Sequence, residues 1–143
     1  MLEETILAFD FGEKRIGVAV GNTVTRTATA LVTLEVESNA DRLTAVAELV
    51  REWQPARFVI GEPRHEDATP HPVAHLAKKF GNRLREHFRL PVDFEDETLS
   101  SIAAAESLDR AGVFGEKRRG KLDAAAAQII LQRYLDHWAA DAA

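Results

Sequence analysis

The chain has 143 residues, a net charge of −5, 45% hydrophobic and 29% charged residues, and no cysteine. That composition suits one globular core and excludes a wholly disordered, collagen-like or low-complexity chain. It also excludes disulfides, thiolate metal sites and a cysteine nucleophile, and an acidic balance excludes a basic nucleic-acid clamp built from the whole chain, though not a local basic patch.

Thr5 to Phe11 reads as a strand apolar on both faces and therefore buried. Gly12-Glu13-Lys14 is too short for a crossover, so it predicts a tight hairpin into an antiparallel strand over Arg15–Val20. Gly21-Asn22 is expected to turn the chain into a third strand, Thr27–Val36. Ser38 or Asn39 can cap a helix running to Trp53, with Leu43, Val46, Ala47 and Val50 on one stripe, ended by Gln54-Pro55. A short buried strand, Arg57–Gly61, and a polar loop over 63–72 follow. The spacing of Val73, Leu76, Ala77, Phe80, Leu84 and Phe88 predicts a helix. Pro91–Glu95 is a strand and Thr98–Ala111 an alanine-faced helix. Gly112–Gly120 is a loop, and the last helix begins at Lys121.

Three antiparallel strands followed by two helical crossovers leave few topologies. The simplest is an α/β fold with a five-stranded mixed sheet of order 3-2-1-4-5, strand two antiparallel to strands one, four and five. A single domain over 1–143 is expected. No apolar run approaches the ~20 residues of a membrane helix. Met1-Leu2-Glu3-Glu4 is acidic where a signal peptide is basic. The expectation is a soluble, cytoplasmic protein with no membrane partner.

In this topology strands one, four and five end on one edge, where α/β proteins place their sites. Acidic residues recur there: Asp10 at the end of strand one, Glu62 directly after strand four, Glu95, Asp96 and Glu97 at the end of strand five, and Asp123 at the start of the last helix. Asp10 interrupts the most apolar strand, where an uncompensated carboxylate costs several kcal/mol. Two compensations are open. One is a salt bridge to Lys14 or Arg15, or backbone N–H bonds in the hairpin. The other is a hard divalent cation such as Mg²⁺ or Mn²⁺, held by several carboxylates; two such ions about 4 Å apart can stabilise the attacking and leaving oxygens of a phosphodiester. Asp123 alone has a simpler reading, since acids favour the first helical turn. Before it, Lys117-Arg118-Arg119-Gly120-Lys121 is either a solvated run or a phosphate contact. Lys78, Lys79, Arg83 and Arg85 on the middle helix form a second basic group.

Other motifs carry less. His71 and His75 are four residues apart, but Pro72 stands where a zincin needs glutamate. Ser100-Ser101 lacks a nucleophile elbow, and neither a Walker A nor a dinucleotide fingerprint is present.

Asp10-Phe11-Gly12-Glu13-Lys14-Arg15-Ile16-Gly17-Val18-Ala19 resembles the opening signature of the YqgF/RuvX family, Holliday-junction-resolvase-like proteins also described as pre-16S rRNA nucleases. Ile60-Gly61-Glu62-Pro63 is similar to the family's VGLP, and Asp67-Ala68-Thr69 to its DGT. Asp96-Glu97-Thr98-Leu99-Ser100-Ser101 is similar to its DERLTT, and the segment from Lys121 to Gln132 to its C-terminal KxDxxAAxxILQ. These motifs occur in order over nearly the whole chain. The resemblance implies a ribonuclease-H-like fold and a metal-dependent nuclease, using Mg²⁺ or Mn²⁺, that matures the 5′ end of the small-subunit rRNA precursor. It implies a catalytic and metal-binding triad of Asp10, Glu97 and Asp123; Glu62 and Asp96, at the same sheet edge, are the candidate accessory carboxylates. Lys14, Arg15, Arg118, Arg119 and Lys121 are the expected substrate contacts. Departures are Thr98 for the usual Arg, Glu62 for Leu and Ala68 for Gly; they touch substrate handling and spare the triad.

Competing readings are a four-way-junction DNA resolvase, a non-catalytic nucleic-acid-binding factor on the same fold, and a sugar-kinase or actin-like ATPase. The last needs two such domains to enclose a nucleotide. The residues leave open monomer or homodimer, and RNA precursor or branched DNA as partner.

Overall fold

The computed structural model describes residues 3–62, 72–96, 104, 106, 108–110, 112 and 116–142, with side chains of the last helix described for 121–138. The chain forms β1 (Thr5–Phe11), β2 (Arg15–Asn22), β3 (Thr27–Glu35), α1 (Asn39–Trp53), β4 (Arg57–Glu62), α2 (Pro72–Phe88), β5 (Val92–Asp96) and α3 (Glu116–Ala142). Residues 104, 106 and 108–110 are helical; the rest of the helix expected over 98–111, and nearly all of the 63–72 loop, lie outside the described residues. The sheet order is β3-β2-β1-β4-β5, as the crossover argument requires. β1 pairs antiparallel with β2 and parallel with β4, and β4 is parallel to β5. No helix among the described residues is long and apolar enough to cross a membrane.

Alternation along β1 divides the core. Leu7, Phe9 and Phe11 join Ile16, Val18, Phe58 and Ile60 under α1 and α2, where Val46, Leu49, Phe80 and Leu84 cover them. The rings of Phe9 and Phe80 meet edge-on, centroids 5.6 Å apart, a favoured aromatic geometry. On the other face Ile6, Ala8, Ala19, Ala28 and Val59 lie under Ala127, Ile130, Leu131 and Leu135 of α3. This face is paved with small residues, so the helix approaches closely. A Cβ on Gly17 would lie 1.9 Å from the Asp123 carbonyl oxygen, and one on Gly21 2.9 Å from Leu131 Cδ2. Eight helical residues and four strand residues both span about 12–13 Å, so α3 lies along β2 and keeps contact at both ends.

Several boundaries differ by one residue from the sequence expectations, among them the ends of β3 and β4 and the start of α2, and two differ by more. β2 continues through Gly21 and Asn22, and the turn comes later, where Asn22 Oδ1 accepts the Val24 N–H at 2.7 Å and Arg26 takes φ 55°. β5 runs one residue further, to Asp96. α3 starts at Glu116 rather than Lys121. Gly120 closes the loop expected over Gly112–Gly120, but one interior glycine costs a helix only about 1 kcal/mol, which flanking Lys and Arg, good helix formers, can offset. α1 starts where its cap predicts: Ser38 Oγ accepts the Asp41 N–H at 3.1 Å. It ends at Gln54 in the left-handed region, whose N–H bonds to the Val50 carbonyl.

Candidate active site

The site begins with Gly17. In the β1–β2 ladder its Cα partner is Asp10, and directly opposed residues of an antiparallel pair share a face. The face is that of α3, as the alternation Ile6, Ala8, Asp10 also requires. The bare backbone of Gly17 is in turn the surface against which Asp123 of α3 rests. Asp10 and Asp123 therefore both border one glycine, at the edge where β1 ends. Any side chain at Gly17 would hold the two acids apart.

Arg15 completes this corner. Its Nε donates to Asp123 Oδ2 at 2.9 Å, with both side chains partly buried. Of the two cations considered for compensating Asp10, one is thus engaged by the other aspartate. Lys14 turns the other way and lines a cavity on the α1/α2 face. Asp123 is the eighth residue of α3, not in its first turn. The helix-dipole reading of this aspartate falls with the new boundary, because that effect fades after the first turn.

The remaining expected residues divide. Glu62 has the parity of Ile60 and lies on the α2 side, its Oε1 3.4 Å from Lys78 Nζ; it faces away from Asp10 and Asp123. Asp96 is the register partner of Glu62. Glu95 Oε1 is 3.5 Å from His137 Nδ1 of α3. Lys121 is exposed, two residues before Asp123. Glu97 and the side chains of Arg118 and Arg119 lie outside the described residues, as does His71. Among the described residues no group of three or more His, Asp or Glu forms a metal cluster. Asp10 and Asp123 supply two hard oxygen donors on one face, which suits Mg²⁺ or Mn²⁺ better than a soft ion.

At the far end of the sheet a polar network ties α3 down. Arg57 Nε reaches Glu4 Oε1 at 2.9 Å, and Nη1 reaches Asp93 Oδ2 at 3.1 Å and the Tyr134 hydroxyl at 3.2 Å. Its guanidinium lies 4.7 Å from the centre of the Trp138 ring. Tyr134 donates to Asp93. Burial, then this bond to Asp93, push the Tyr134 hydroxyl up to about 12, against a lowering effect of Arg57. Burial alone would lower Arg57, but its bonds to Glu4 and Tyr134 outweigh that and hold it charged. Sequence reading did not find this network; its signal was an Arg opening a buried strand.

The model of the RuvX family, described as Holliday junction resolvase, matches residues 4–137. A protein of Dechloromonas aromatica strain RCB is 51% identical over 132 residues, 92% of this chain and 90% of its own length. One of Burkholderia cenocepacia strain HI2424 is 49% identical over 134 residues, 94% of this chain and 90% of its own. Both bear the provisional name pre-16S rRNA nuclease. Among solved structures, Thermus thermophilus RuvC in complex with a Holliday junction substrate superposes with TM-score 0.58 at 17% identity, covering 92% of this chain and 93% of that one. A second Thermus thermophilus RuvC structure gives 0.56 at 13%, over 95% and 96%. Likeness at that identity shows the fold, which is ribonuclease-H-like.

Proposed function

Because the chain belongs to the RuvX family, described as Holliday junction resolvases, we propose that it is a divalent-metal-dependent nuclease that hydrolyses phosphodiester bonds in structured nucleic acid. The observation that carries this is that Gly17 is bordered both by Asp10, its partner in the β1–β2 ladder, and by the backbone of Asp123 on α3. Two aspartates on one sheet face at the end of a buried strand have a use as ligands of a hard cation. Asp10 and Asp123 would hold that ion, with Glu97, which follows Asp96 in the chain, as the third ligand. A divalent ion bound there supplies charge stabilisation to the oxygens of the scissile phosphate. Arg15 holds the Asp123 carboxylate in place. Lys121 and the basic residues before it, Arg118 and Arg119, would meet the phosphate backbone.

The substrate we favour is pre-16S rRNA, the substrate in the names of relatives that are about half identical over nine-tenths of the chain. The family description favours a second substrate, the four-way DNA junction. Both belong in one panel, assayed with purified protein and Mg²⁺ or Mn²⁺. Asp10→Asn and Asp123→Asn should each lower cleavage by more than about 100-fold, since outer-shell partners alone are worth about 10–100-fold. Cleavage surviving in either variant would move the chemistry elsewhere. The substrate cut at the lowest enzyme concentration identifies the physiological class.

A further inference from the structure

On the opposite sheet face from Asp10 and Asp123, a cavity of about 490 Å³ opens between the β1–β2 hairpin, α1 and α2. Phe11 and Phe80 form part of its wall, and Lys14, Arg42, Lys79 and Arg83 line it, against Glu13 and Glu37. Four cations and two anions make it positive in a chain whose net charge is −5. Among the described residues, Lys14, Lys79 and Arg83 have no carboxylate within ion-pair distance.

Arg42 is fixed. Its guanidinium lies 5.1 Å from the centre of the Phe11 ring. Nη2 donates to the Glu13 carbonyl at 2.6 Å and Nη1 to Asn39 Oδ1 at 3.1 Å. Its Nε is buried with no partner among the described residues. A planar cation backed by an aromatic ring is a platform on which an unpaired base can stack. The bases of a duplex are stacked on one another and cannot offer a face to a concave site. Exposed cations around such a platform suit the phosphates on either side of that base.

The cavity is also placed for a strand that continues past the carboxylates. Phe11 follows Asp10 directly, and Lys14 closes the same hairpin. Resting on the nuclease reading above, we infer that this cavity seats an unpaired nucleotide of the substrate, its base on Arg42 and its phosphates on Lys14, Lys79 and Arg83. The substrate class then narrows to nucleic acid with unpaired nucleotides next to the cleaved bond, such as a tailed or branched end.

The test uses a fluorescein-labelled single-stranded oligonucleotide, titrated in EDTA so that binding is read without cleavage. Lys79→Ala with Arg83→Ala changes two exposed residues of α2. Arg26→Ala with Arg51→Ala removes the same charge from exposed positions outside the cavity. The cavity pair should weaken binding about tenfold or more and lower the log-log salt slope by about 1.4, two contacts at about 0.7 each; the control pair should change neither. A fully paired duplex should lose much less from the cavity pair than the single strand does. Equal losses in both pairs, no binding by the wild type, or a mononucleotide that competes as well as the oligonucleotide would each overturn the inference. Cleavage assays on the same proteins separate the two claims. Cavity-dependent binding without cleavage of any panel substrate refutes the nuclease reading alone. Cleavage with cavity-independent binding refutes the cavity alone.

Discussion

At Gly17 the backbone of β2 lies directly against that of α3, and the glycine is needed for what it lacks. The 1.9 Å separation between a hypothetical Cβ and the Asp123 carbonyl oxygen leaves α3 no option but to move. Overpacking costs about 1–3 kcal/mol, and backbone yields less readily than a side chain. Gly17→Ala should therefore lie at or above the top of that range, read as a lower urea midpoint at unchanged slope. It should also reduce cleavage more than its stability loss explains, because it separates Asp123 from Asp10. Tyr134 gives a prediction of a different kind. Its folded-state value of about 12 lies above the ordinary 10.0. Below pH 10 the tyrosine is neutral in both states and its contribution is intact. Between about pH 10 and 12 the unfolded chain ionises first, so stability is lost as pH rises through that window. Denaturation midpoints measured from pH 9 to 12 should fall for the wild type and fall less for Tyr134→Phe.

At the scale of elements, α3 holds both ends of the molecule together. Beyond its apolar stripe it clamps an edge strand through two glutamines. Gln128 Nε2 donates to the Ala28 carbonyl at 3.0 Å, Gln132 Oε1 accepts the Ala28 N–H at 3.1 Å, and Gln132 Nε2 donates to the Arg26 carbonyl at 2.9 Å. Gln132→Ala leaves a partly buried N–H without its partner, which should cost about 1–2 kcal/mol in chemical denaturation. Elements were legible in the sequence wherever a local rule fixed them. The short 12–14 hairpin and the two crossovers give the strand order, and Ser38 gives the start of α1. The start of α3 was not legible, because interior glycine and loop glycine look alike until packing decides between them. Of the site, Asp10 announced itself as an acid inside an apolar strand. Which face each acid occupies depends on strand parity, and counting from Ile60 to Glu62 would have carried Glu62 to the α2 side. Arg15 as the partner of Asp123 could not be read, because that contact spans 108 residues.

Over the whole molecule, binding of a divalent ion at the proposed carboxylates must appear as stability. A ligand that binds only the folded chain at 100 times its Kd adds about 2.7 kcal/mol. Titrating Mn²⁺ should raise the Tm of the wild type, and Asp10→Asn should show little of that rise; equal shifts would place the ion elsewhere. The packing of α3 along β2 also has a consequence in time. Translation and folding run from the N-terminus, so the sheet strands are complete before the helix carrying Asp123 has been made. Until it docks, Ile6, Ala8, Ala19 and Val59 have no cover on that side. The 108-residue closure that brings Asp123 to Arg15 is among the slowest kinds of contact to form. A nascent or truncated chain thus holds Asp10 in place but has no helix to oppose it. On the proposed reading, hydrolytic competence would therefore arrive only with the last helix, and a chain truncated before Asp123 should cut nothing in the cleavage panel.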